Sequence, residues 1–153
     1  MEPILQFIQE GYKVFSSYQR PEQCIDHQGD PEYREYEESL AGISCSSLDM
    51  VHIGHISWGP LLAIGPEAMA HFMPRLIELA VNGLNDKFEQ LFSVLFTEVV
   101  GKGPDSDQFL LFGHEQRQFV LRAFMLIKGL YYPIFKSQCY ESELNQAIEQ
   151  WQI

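Results

Sequence analysis

Phe88, Leu91, Phe92, Leu95, Phe96 and Val99 stand at offsets of 0, 3, 4, 7, 8 and 11 along the chain. That spacing lines one side of a helix of 3.6 residues per turn, whereas a strand, with a period of two, would scatter it over both faces. The same period recurs elsewhere. Ile4, Leu5, Ile8, Tyr12 and Phe15 share a face over 4–15, where Gly11 weakens the helix slightly. Arg20-Pro21 is expected to end it, because the residue before a proline is driven out of the helical region. Met69, Phe72, Met73, Leu76, Leu79 and Ala80 gather on one side of 66–81, with Pro66 at the first position and Gly83 beyond the end. Pro74 is expected to bend this helix without breaking it, since the apolar stripe keeps one phase on both sides. Residues 114–130 are apolar nearly all round, the pattern of the central, most buried helix. Pro133 separates it from a last helix over 141–152, with Leu144, Ala147, Ile148 and Trp151 inward.

No alternation sustained enough for a sheet accompanies these helices, and no internal repeat. The expectation is a single compact all-α domain over 1–153, of five to six helices with short connections. The exception is 43–65, where Ser44, Ser46, Ser47, Gly54, Gly59, Pro60 and Gly65 break any regular pattern. That segment reads as mostly irregular with one short helix; its pattern admits a helical turn starting at Ser47 and a short strand over Met50 to Ile56. A chain of 153 residues, 46% of them hydrophobic, buries a core that needs no metal or disulfide.

Charge narrows the partners. Ten Lys and Arg stand against 21 Asp and Glu, a net charge of −11. Phosphate binding is driven by Lys and Arg replacing counterions, so nucleic acid is not expected, nor an anionic membrane surface. No apolar run approaches the roughly 18 residues of a spanning helix. Met1-Glu2-Pro3 lacks the basic start of a secretory signal, and Cys24, Cys45 and Cys139 are too few and too odd for a disulfide framework. A cytoplasmic protein with free thiols and no cofactor is expected.

The acid is concentrated. Glu22, Asp26, Asp30, Glu32, Glu35, Glu37 and Glu38 are answered within 21–42 only by Arg34. Pro31 suits the first turn of a helix capped by Asp30, and Tyr33, Tyr36 and Leu40 give it an apolar side up to Gly42. A charge run of this kind is ordinarily a solvated face. Its sharper reading is a docking surface, in which carboxylates steer a basic protein and the tyrosines add contact area.

A second candidate face is Glu67, His71, Arg75 and Glu78 on the polar side of 66–81, near Trp58. The bland reading is a solvated helix face, the sharper one a recognition surface around the Pro74 bend. Cys24-x-x-His27 and His52-x-x-His55 supply four metal-ligand types, but their order matches no zinc finger. His114-Glu115-Gln116-Arg117-Gln118 opens like a zinc-protease helix and lacks the second histidine. Glu115 reads more simply as a carboxylate at a helix N-terminus. Gly101-Lys102-Gly103-Pro104 is too short for a phosphate loop.

Ser57-Trp58-Gly59, followed by His71-Phe72-Met73-Pro74-Arg75-Leu76-Ile77-Glu78-Leu79, resembles a group of small uncharacterised bacterial helical proteins. They carry a tryptophan-glycine step and a His-Phe-Leu-Pro-Arg-x-x-Glu-Leu helix. Phe109 to Phe124 is also similar to them, and Met73 departs from their usual leucine. The resemblance implies a helical domain and no activity. No nucleophile stands beside a plausible base, so the expected function is a non-enzymatic interaction protein, of inhibitor or immunity type, that meets a basic partner through its acidic surface. The alternative is a small metal-dependent or otherwise catalytic helical protein using Cys24, His27, His52, His55 and His71.

Overall fold

The computed structural model describes residues 3–26, 31–53, 61, 63–83 and 96–152. Six α-helices are found among them: α1 (Pro3–Val14), α2 (Pro31–Leu40), α3 (Met50–Ile53), α4 (Pro66–Gly83), α5 (His114–Ser137) and α6 (Glu141–Trp151). Residues 96–99 are also helical and run into a 3₁₀ turn at Val100–Lys102. Strand-like pairing among the described residues is limited to a bridge between Ile25 and Ile64. There the Asp26 N–H donates to Ala63 and the Gly65 N–H to Cys24. The fold is all-α, as the periodicity requires. No helix among the described residues is long and apolar enough to cross a membrane.

α4 is continuous through Pro74, as the unbroken phase of its stripe predicts. It is also the central helix, a place the sequence suggested for α5. Ala68, Met69, Ala70, Phe72, Met73, Leu76, Ile77, Ala80 and Val81 are all buried. α5 instead leaves Met125 and Leu130 exposed, Met125 lining a groove between α5 and α1. Nor does Pro133 end α5. The helix bends at Tyr131, with φ −128° and ψ 15°, and continues to Ser137. Pro133 has no N–H for the Gly129 carbonyl, and the turn in between gives way. The Tyr131 hydroxyl, donating to the Val81 carbonyl, fixes the bend against the end of α4.

Two further boundaries differ from expectation. α1 stops at Val14, well before Pro21, because Ser16 takes the Lys13 carbonyl with both its N–H and its hydroxyl. α2 stops at Leu40, and Gly42 follows at φ +72°, a conformation that favours glycine. Of the expected 86–100 helix, Phe88, Leu91, Phe92 and Leu95 lie outside the described residues. Its far end is helical, with Val99 buried and Phe96 packed on Phe124 at 5.0 Å between ring centroids. In α6, Leu144, Ala147, Ile148 and Trp151 are buried as their spacing dictates.

Gly11 has a stronger role than that of a weak helix former. A methyl group there would stand 2.8 Å from the Phe119 ring, so α1 crosses α5 with no room for a side chain. Phe119 cannot retreat, being buried and stacked on Phe7 at 4.4 Å. Gly11→Ala gains roughly 1 kcal/mol of helix propensity and is nonetheless expected to destabilise by about 1–3 kcal/mol through overpacking. Urea denaturation checks this, and a stabilised variant would mean that the crossing is loose.

Candidate functional site

The acidic segment is built as a small closed unit. Arg20 joins its two ends: Nε donates to the Ile43 carbonyl at 3.1 Å, and the guanidinium also reaches the Leu40 carbonyl at the end of α2. A cation on the last carbonyls of a helix satisfies groups that have no intrahelical donor. In the sequence Arg20 reads only as the residue before Pro21, and nothing there marks this fastening role. Leu40 anchors α2 in the core, while Tyr33 and Tyr36 are half-buried.

The carboxylates divide into two kinds. Glu22, Asp26, Glu32, Glu35 and Glu38 are exposed, as a docking surface requires. Glu37 is half-buried and turned inward, where it accepts the backbone N–H of Cys24 at 2.8 Å and that of Ile25 at 3.4 Å. It fastens the 24–25 loop to α2 and does not belong to the exposed set. Glu32 accepts the Tyr36 hydroxyl one turn away. Asp30, the expected cap, lies outside the described residues.

Glu37→Ala strips buried backbone donors of their acceptor and is expected to cost about 1–3 kcal/mol. Glu35→Ala, on the outer side of the same helix, should change stability by no more than about 0.5 kcal/mol. Thermal melts of the two variants side by side measure the difference, and equal melting points would remove Glu37 from its structural role.

Beside α2 lies a cleft of about 400 Å³. Asp26 and Tyr33 line it, together with Lys102 at the end of the Val100–Lys102 turn and Asp107 at the start of the Asp107–Phe109 turn. Asp107 lies outside the acidic segment, 81 positions along the chain from Asp26.

The polar side of α4 is neither a solvated face nor a free recognition surface. It is a seam between elements. Arg75 donates to the Leu48 carbonyl at 2.7 Å and pairs with Glu78 at 2.7 Å. Glu78 also accepts the Tyr12 hydroxyl of α1 at 2.6 Å. Burial, reinforced by Glu78, pushes the Tyr12 hydroxyl well above its ordinary range, which keeps it a donor. His71 Nδ1 lies 3.1 Å from the Tyr18 carbonyl and so carries the hydrogen, while Nε2 is sealed from solvent and has no partner among the described residues. Glu67 alone of this set is exposed, and Trp58 lies outside the described residues.

Of the metal candidates, His27 and His55 also lie outside the described residues. Cys24 is fully buried, with burial pushing its thiol up, and His52 Nδ1 accepts the Asp49 N–H at 2.9 Å. Among the described residues no three His, Cys, Asp or Glu side chains are grouped to hold a metal. Cys45, beside Arg75 and Glu78, is pushed up to about 11 by burial and stays a thiol at neutral pH, a poor nucleophile. His114 and Glu115 form the first turn of α5. There Gln116 accepts the Gly113 N–H and donates to the Val14 carbonyl, joining the helix start to the end of α1.

The chain matches no protein-family model, no curated protein and no solved structure.

Proposed function

We propose that the protein is a non-enzymatic helical interaction protein of the bacterial cytoplasm that docks a basic partner protein on its acidic surface. An inhibitor or immunity-type role fits this chemistry. The observation that carries the reading is the outer side of α2, where Glu32, Glu35 and Glu38 are exposed together, with Glu22 and Asp26 exposed on the preceding loop. Among the described residues Glu22, Asp26, Glu35 and Glu38 enter no ion pair with Lys or Arg. Their field therefore reaches a cationic protein before contact and raises its rate of encounter. The half-buried Tyr33 and Tyr36 supply contact area at little cost in side-chain freedom.

Capture from the source cell at low ionic strength supplies the partner for kinetic measurement. Its association should slow steeply between low and physiological salt while dissociation changes little. An acidic partner, or association indifferent to salt, contradicts the reading.

A further inference from the structure

Leu110 and Leu111 are 60% and 46% exposed, in a loop where polar residues are the rule. They are held outward. Phe109 and Phe112 on either side are buried, their rings edge to face at 5.3 Å, and the Tyr18 hydroxyl fixes the Leu111 carbonyl at 2.8 Å. The backbone between two such anchors cannot turn the leucine pair into the core. The pair directly follows the Asp107–Phe109 turn, whose first residue walls the cleft beside α2. Three or four residues of chain, and so at most about 14 Å, separate an apolar surface from a cleft lined by two carboxylates, Asp26 and Asp107. Among the described residues lining that cleft, Lys102 is the one cation and Asp26 and Asp107 are the carboxylates.

We propose that the leucine pair and the cleft form one docking surface for a basic amphipathic helix of the partner. A Lys or Arg of that helix enters between Asp26 and Asp107, its stem along Tyr33, while apolar side chains one turn away cover Leu110 and Leu111. Charge complementarity selects this occupant. An acidic helix would meet the two carboxylates, and an uncharged one would leave them desolvated and unpaired. The inference rests on the acidic surface being a docking site and adds what the partner must present.

The test uses a leucine–lysine peptide patterned as an amphipathic helix and a scrambled peptide of the same composition, with binding read by fluorescence anisotropy at low salt. The amphipathic peptide should bind at least about tenfold more tightly than the scrambled one. Leu110→Ser with Leu111→Ser should abolish that preference and leave the scrambled peptide's affinity unchanged. Asp26→Asn with Asp107→Asn should weaken both peptides, and Lys102→Ala should tighten both. All of these side chains are solvent-facing, and melting curves of the variants verify that they fold. Equal binding of the two peptides, or a serine variant that keeps the preference, overturns the proposal while leaving an acidic docking surface intact. Failure of either peptide to bind overturns both.

Discussion

Replacing Trp151 with alanine is expected to remove about 3–5 kcal/mol of folding stability, a large share of the total for a domain of this size. Trp151 is fully buried at the end of α6, and it links three parts of the chain. Its ring meets Phe109 at 5.4 Å, nearly perpendicular, and Phe112 at 6.2 Å. Its indole N–H donates to the Val100 carbonyl in the 3₁₀ turn. Truncation leaves a cavity among rigid rings, which refill space poorly, and strands a buried carbonyl. Trp151→Phe retains most of the packing and should lose only about 1–2 kcal/mol, chiefly the hydrogen bond. Chemical denaturation of both variants measures the gap. An alanine variant within about 1 kcal/mol of wild type would mean that α6 is not fastened through this residue.

The helices were legible because the core is built from period-3.6 stripes: α6 buries the side chains its spacing names, and α4 buries all of its stripe but Leu79, which is half-buried. What the spacing could not show is which polar faces are covered. Glu67, His71, Arg75 and Glu78 follow the rule for a solvated stripe, yet Tyr12, Tyr18 and the Leu48 carbonyl come from distant positions to satisfy the last three. A polar face satisfied by other elements has the same local pattern as one satisfied by water.

Two other signals were present in the sequence. Glu37 stands four residues after Tyr33 and three before Leu40, on the inward side of α2, which separates it from Glu35 and Glu38. Gly11 follows Ile4 and Ile8 by seven and three, on the buried stripe of α1, where a glycine marks a close crossing. Both can be read from a helical wheel once position is weighed above residue type. That Asp107 and Asp26 line one cleft depends on tertiary folding alone.

Reversing Glu32, Glu35 and Glu38 to lysine is the second large effect. Three substitutions worth +2 each move the net charge from −11 to −5. Glu37 must be spared, since its reversal would remove the acceptor for Cys24 and Ile25 and confound binding with folding. The three exposed changes should each leave stability within about 0.5 kcal/mol, with Glu32 also giving up the Tyr36 hydroxyl. Affinity should behave differently. Long-range attraction scales with the charge at the surface, so binding of the basic partner at low ionic strength should weaken by about tenfold or more, mostly through slower association. The matching control reverses Glu143 and Glu149 on α6, exposed carboxylates outside the acidic segment, and should have little effect. Measuring the association rate of the natural partner at low salt with wild type, the α2 triple variant and the α6 control therefore tests the central claim directly. A large loss confined to the triple variant is the predicted result, and a triple variant that associates as fast as wild type would contradict a docking role for the acidic surface.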